Sequence, residues 1–417
     1  MSDTGIHPRR PEPGPAGPSG STDAAEIVVT AMGVWSASGT SLDDFSGHVL
    51  SGNGPRGVSK DLATGILAIE APEPNPPSGF PQALRMDRSV HLALAAASQA
   101  YAAAGLEDLD PDRIAVLIGN SRGPAGKWSE PRSQRLRPTQ AANTAVASLS
   151  GAVSLAFGIR GPCLTVSATC ASAAHAIALG ATLLRAGEAD AVLAGGAEAP
   201  LVEPVLEQFR AARLLGSHED PTLACRPFDR SRNGIIPGEG AAFLVLETTR
   251  HARARRRPPH AVLAGWAAGS EAHNRVASRA DGAGLASALR LALDRADVRP
   301  RDVGYINAHG TGTRLSDASE AAAIGNVFGS VGTRPLVSST KPVTGHVFGA
   351  APALEAVITI EALKAGKAPP TWSCRDPDPD LDLNLILGQP RDIATRVAVS
   401  TSLGFWGSTG ALVFRTP

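Results

Sequence analysis

From residue 27 onward, short runs that are apolar at every position alternate with longer Ala- and Leu-rich stretches. Runs apolar on both sides of the pleat suit strands covered on both faces, and the longer stretches suit helices packed against them. The pattern predicts strands at 27–30, 114–118, 164–167, 191–194, 242–246, 304–307, 336–339, 397–401 and 411–414. It predicts helices over about 88–104, 171–185, 285–296, 317–327 and 351–365. Such alternation is the mark of an α/β fold. Residues 1–24 are rich in Pro, Gly and Ser, carry no periodic apolar face, and are expected to form a disordered tail.

A basic run from His251 to Arg257, followed by Pro258 and Pro259, interrupts the alternation near the middle of the chain. It reads as a solvated linker, 251–260, with a nucleic-acid patch as the alternative. The stretches on either side, 25–250 and 261–417, have similar strand and helix content, which points to a duplicated architecture without a fixed-period repeat.

Composition narrows the function classes. Lys+Arg and Asp+Glu are equal at 39 each in 417 residues, which disfavours a general nucleic-acid binder. No run approaches the roughly 18 apolar residues of a membrane span, and the first residues hold no hydrophobic segment of a secretory signal, so a cytoplasmic protein is expected. Cys163, Cys170, Cys225 and Cys374 are far apart and form no CxxC pair, which argues against a disulfide framework and against a zinc site. A reactive thiol is the remaining possibility.

Cys170 ends a turn-and-strand segment, Gly161 to Thr169, and Ala171, Ser172, Ala173 and Ala174 then begin a strong helix. Unpaired N–H groups and the dipole at a helix start lower a thiol's pKa, and small neighbours let a substrate reach the sulfur. That is a setting for a nucleophile, with a buried packing cysteine as the alternative. Two predicted strands run into Gly/Thr-rich loops with a histidine, His309-Gly-Thr-Gly-Thr313 and Lys341 to His346. Neutral imidazoles there can donate to a carbonyl or a developing oxyanion, with Lys341 holding charge nearby.

These segments together resemble the β-ketoacyl-acyl carrier protein synthases of the thiolase superfamily, over about residues 25 to 416. The Cys170 segment looks like the family's active-site cysteine motif. His309 to Thr313 with Asp317 and Glu320 matches HGTGTxxxDxxE; Lys341 to His346 with Gly349, Ala350, Ala351 and Glu355 resembles KxxxGHxxGAAGxxE. Arg85-Met86-Asp87, Gly161-Pro162, Phe228-Asp229, Gly238-Glu239-Gly240 and Pro369-Pro370-Thr371 add to the likeness.

The resemblance implies a thiolase fold, two duplicated βαβαβ-type halves in a five-layer αβαβα architecture, paired as a homodimer or as a heterodimer with a ketosynthase-like subunit. It implies a free-standing enzyme in which Cys170 takes an acyl group from a thioester on the phosphopantetheine of acyl carrier protein or coenzyme A. A malonyl thioester then loses carbon dioxide, and its enolate attacks the acyl-cysteine. His309 and His346 correspond to the pair that holds the malonyl carbonyl, Lys341 and Glu320 to supporting charges, and Thr311 and Thr313 to contacts with the phosphopantetheine arm. No bound cofactor and no metal are implied, since decarboxylation itself generates the carbanion.

The family's last loop, NSFGFGGTN, here reads Thr401 to Thr409 with Leu403, Phe405 and Trp406 in it. By resemblance Leu403 replaces the phenylalanine that gates the acyl pocket, and these three residues are expected to shape substrate choice. Asn233, Pro352 and the loop Asn120 to Trp128 are further departures. A specialised polyketide or fatty-acid pathway is the expected setting. An acyltransferase without decarboxylation and a non-catalytic chain-length-factor-like subunit are the alternatives, and Cys170 argues against the second.

Overall fold

The computed structural model describes residues 26–60, 64–75, 79–130, 138–329 and 334–417; the tail expected at 1–24 lies outside them. Ten strands form one sheet: β1 (Ile27–Ser36), β2 (Ile114–Gly119), β3 (Cys163–Val166), β4 (Ala191–Glu198), β5 (Gly240–Thr248), β6 (Ala261–Ser270), β7 (Tyr305–Asn307), β8 (Leu336–Ser338), β9 (Val397–Leu403) and β10 (Ser408–Arg415). Six of the helices frame it: α1 (Arg88–Ala104), α2 (Ser148–Phe157), α3 (Ser172–Ala186), α4 (Ala283–Ala296), α5 (Arg314–Phe328) and α6 (Ala351–Ala365).

The sheet runs β8-β7-β9-β10-β6-β1-β5-β4-β2-β3. Read outward from its middle, the first five strands lie in the order first, fifth, fourth, second, third, and the last five repeat that order. Each half pairs second with third and second with fourth in parallel, then closes with antiparallel pairs. The halves join through a short antiparallel ladder, Ile27–Val29 against Ala261–Leu263.

Helices cover both faces of each half. α1 and α2 pack on the outer face of the first, α4 packs on the outer face of the second with α5 against it, and α3 and α6 lie between the two. Position explains composition here. Twelve of the fifteen residues of α6 are buried, which a helix sandwiched between sheets requires, so its sequence is apolar nearly all round. Pro352 falls in its first turn, where a missing N–H leaves no bond unmade, and the helix starts at Ala351 without a break.

Two elements escape the sequence pattern. β6 is built largely of Ala and Gly, which have little strand preference of their own, and takes its extended form from partners on both sides. α2 has Gly151 and two serines in its first turns, and gains its stability from packing on α1, β2 and β3. Part of the basic run also differs from a solvated linker. Thr249–Ala254 is a short helix, and Arg255 pairs with buried Glu247 at 2.9 Å while donating to the Ala104 and Gly105 carbonyls at 2.6 and 2.7 Å. Those are the open carbonyls at the C-terminus of α1, where a cation is favourable.

Candidate active site

The chain delivers Cys170 through a tight elbow between β3 and α3. Thr169 sits at φ 49°, in the left-handed region, and Ser172 Oγ locks the turn by bonding Ala168 N at 2.9 Å and Thr169 O at 2.6 Å. Close backbone approach makes this possible. A β-carbon at Gly119 would lie 2.2 Å from the Ala173 nitrogen, and one at Gly404 would lie 2.2 Å from Thr169 Oγ1, so only glycine lets β2 and the last loop press against the elbow.

The second half brings two imidazoles to the sulfur. His346 Nε2 lies 3.2 Å from Cys170 Sγ, and the His309 ring stands nearly perpendicular to His346, with centroids 5.6 Å apart. Lys341 Nζ donates to the His309 carbonyl, lies 3.4 Å from His309 Nδ1 and pairs with Glu355 on α6. Its ammonium next to Nδ1 makes that nitrogen the acceptor, which leaves the His309 proton on Nε2. His346 Nδ1 has no partner among the described residues, so its Nε2 can serve as acceptor or donor.

Two buried carboxylates hold the first histidine loop. Glu320 accepts from His309 N at 2.8 Å, Gly310 N at 2.7 Å and Thr401 Oγ1 at 2.6 Å; Asp317 accepts from Thr311 N, Gly312 N and Phe228 N at 2.8–3.1 Å. Burial pushes Asp317 up to about 7, against these donors. Glu198, at the end of β4, does the same for the other wall. It accepts from Ser121 N at 2.8 Å, Arg122 N at 3.0 Å and Gly349 N at 3.0 Å, and burial pushes it up to about 7. Sequence reasoning missed Glu198 and Phe348 as parts of the site, and it met Glu355 only as a motif position and Arg122 only within a departing loop, without a role for either. A lone glutamate at the end of an otherwise apolar strand run was the available signal for Glu198.

A cavity of about 390 Å³ opens onto both histidines. Thr311, Thr313, Phe209, Ile235, Gly404 and Phe405 line it, with the exposed Arg213 and Arg314 at its rim. Cys170, His309, His346, Lys341, Glu320, Thr311, Thr313 and Phe405 are thus gathered in one place. Leu403 and Trp406 are not. Strand alternation puts Leu403 on the same face as Val397 and Val399, in the core under α4 and α5, where it is 3% exposed. Trp406 is 69% exposed, its backbone turned outward at φ 62°. Among side chains of the last loop, Phe405 meets the cavity, stacked 6.2 Å from Phe209.

The electrostatics also differ from the helix-start expectation. Cys170 lies before the first residue of α3, and burial pushes its thiol up to about 12, with Arg122 and Lys341 opposing the shift. Burial, Lys341 and the neighbouring charges hold both histidines well below the usual imidazole range, so both rings are neutral. The resting pair is a thiol facing a neutral imidazole. Alkylation of the substrate-free protein by iodoacetamide should therefore rise steadily from pH 7 to 10, about tenfold per unit in thiolate. A plateau reached below pH 8 would show a thiolate already formed at rest.

Residues 24–252 match the family model for the β-ketoacyl synthase N-terminal domain, and residues 260–375 match the model for its C-terminal domain. The chain belongs to the β-ketoacyl synthases. It is 35% identical over 343 residues to 3-oxoacyl-[acyl-carrier-protein] synthase 2 of Staphylococcus aureus (strain N315), spanning 80% of this chain and 83% of that protein. The Vibrio harveyi enzyme of the same name is 35% identical over 344 residues, 80% of this chain and 83% of that one. Among solved structures, a β-ketoacyl synthase from Burkholderia phymatum STM815 superposes with a TM-score of 0.86 at 30% identity, covering 94% of this chain and 99% of that chain. A type II polyketide ketosynthase, solved with its acyl carrier protein and bound to the hexaketide, gives 0.84 at 28% identity over the same shares. The fold is the thiolase fold of ketosynthases, and the synthase is a condensing acyltransferase of the 3-oxoacyl-acyl carrier protein type. Among the described residues, no helix is long and apolar enough to cross a membrane.

Proposed function

We propose that this synthase condenses an acyl group held on Cys170 with a malonyl group, both delivered on the phosphopantetheine of an acyl carrier protein. One observation carries the reading: the Cys170 sulfur is 3.2 Å from His346 Nε2, and His346 and His309, ring against ring, both line a cavity open to the rim.

In the first step the thiol attacks the incoming thioester carbonyl, His346 Nε2 takes the thiol proton, and that proton leaves on the released pantetheine thiol. The second step uses both rings as donors, after the His346 ring proton has exchanged from Nδ1 to Nε2 through solvent once the pantetheine has left. The malonyl thioester oxygen sits between His309 Nε2–H and His346 Nε2–H. The carboxylate departs as carbon dioxide, its bonding pair becomes the enolate, and the two N–H groups hold the charge that develops on oxygen. The enolate carbon then attacks the acyl carbonyl, the cysteine sulfur leaves, and a proton from solvent restores the thiol. Lys341, paired with Glu355, positions His309; Glu320 and Asp317 hold the loop that carries it.

Thr311 and Thr313 face the route from the rim to the sulfur, and Arg213 and Arg314 at the rim suit an acidic carrier protein. A second chain of this fold, its own copy or a related subunit, fits the free sheet edge at β3. Leu164 on that edge is 48% exposed and Leu155 on α2 is 69% exposed. A ketosynthase from Xenorhabdus doucetiae solved with its chain length factor superposes with a TM-score of 0.81 at 27% identity. Incubation with acyl carrier-protein thioesters, followed by intact-protein mass measurement and peptide mapping, tests the proposal. An acyl adduct on Cys170 is expected, and an adduct confined to Cys163, Cys225 or Cys374 would overturn it.

A further inference from the structure

The loop after β2 places a cation in the apolar surroundings of the nucleophile. Asn120 anchors the loop by donating to the Ala197 carbonyl at 2.7 Å and accepting from Gly123 N, while Glu198 binds the backbone N–H groups of Ser121 and Arg122. The same glutamate binds Gly349, next to Phe348. Arg122 therefore projects from a fixed backbone that shares its anchor with the His346 loop.

Its guanidinium lies 4.9 Å from the Phe209 ring and 5.6 Å from the Phe348 ring. Phe348 in turn stacks on His346 at 5.0 Å, and Phe209 lines the cavity. Around Cys170 the packing is apolar: Ala125, Val205, Phe209, Ile235 and Phe348. The Arg122 side chain makes no hydrogen bond or ion pair with any of the described residues, and its Nε–H is buried without a partner. Both Glu198 oxygens are already taken by backbone N–H groups. The two ring faces and the nearby Glu198 carboxylate offset the charge of the guanidinium but give its buried Nε–H no acceptor, and a buried donor left unpaired is costly.

We propose that Arg122 determines acyl specificity, selecting acyl groups with a carbonyl-type oxygen acceptor in their first few carbons over alkyl groups of equal length. The proposal rests on Cys170 as the acyl-carrying residue. A chain on its sulfur enters the ring cluster that Arg122 packs against, where an oxygen satisfies the unpaired Nε–H and a methylene does not. That oxygen can be the keto group of a β-ketoacyl chain or the carboxylate of a dicarboxylic half-thioester.

Rates of Cys170 acylation by four pantetheine thioesters, read by intact mass, separate these cases. Acetoacetyl against butyryl isolates the keto group; succinyl against pentanoyl isolates the carboxylate. In the wild-type protein at least one oxygenated member is expected to exceed its alkyl partner by about tenfold or more. Arg122→Met should lower that ratio about tenfold. Arg122→Lys, which keeps the charge and changes its shape least, should retain more of it for succinyl than for acetoacetyl if the carboxylate is the feature recognised. Equal ratios in wild type and both variants would overturn the proposal. So would a uniform loss for all four thioesters, which would place Arg122 in thiol activation. Absence of a Cys170 adduct from every thioester in the wild-type protein would instead overturn the acyl-enzyme reading, and this inference with it.

Discussion

Replacing Cys170 by alanine is expected to abolish the acyl-enzyme and reduce condensation by about 10⁴-fold or more, because the covalent intermediate has no second site to form on. Cys170 is the cysteine with an imidazole within reach. Cys225 turns its sulfur to the Thr311 carbonyl at 3.6 Å, and Cys163 lies within β3. The substitution removes one sulfur atom from a site that small residues already surround, so the fold should persist, which a thermal melt can confirm. Decarboxylation of malonyl carrier protein should survive in this variant, because the two histidines rather than the sulfur stabilise that charge. A mass adduct that persists in Cys170→Ala would remove the nucleophile from its assigned place.

His309→Ala and His346→Ala should each lower condensation by about 10²–10³, the usual loss when one donor to a developing oxyanion is removed. Their effects on the first step should differ. His346 touches the sulfur at 3.2 Å, and burial keeps that thiol protonated at neutral pH, so losing the imidazole should also slow acylation. His309 meets His346 edge-on, and it is His346 that is hydrogen-bonded to the sulfur, so His309→Ala should acylate nearly as fast as wild type and stall afterwards. Single-turnover acylation and malonyl decarboxylation, measured separately for each variant, check this division. Equal acylation defects in the two variants would contradict it.

Much of the fold was legible because burial writes a simple pattern. β2 is buried and apolar at every position, and β4 is buried throughout and apolar up to its last residue, Glu198. β6 was illegible for the opposite reason: Ala and Gly fit a strand only when neighbours supply both edges. The site was legible where one residue carries the chemistry, as with Cys170 and the two histidine loops. It was illegible where the decisive quantity is a distance across the two halves. That Glu198 bonds three backbone N–H groups, that Lys341 finds Glu355, and that Arg122 lies against two phenylalanine rings are all facts of packing. The last loop shows the limit of motif matching. Leu403 occupies the gate's place in the motif, yet the two-residue strand period turns its side chain into the core, and Phe405, just beyond the strand end, meets the cavity.

The central claim is that carbon–carbon bond formation at Cys170 is driven by decarboxylation. Its most direct measurement is the ratio of labelled carbon dioxide to β-ketoacyl product, with the acyl-Cys170 enzyme mixed with malonyl carrier protein in a single turnover. One carbon dioxide released for each β-ketoacyl group formed is the expected result. Discharge of the acyl group onto an alcohol, an amine or water, with no carbon dioxide released, would contradict it.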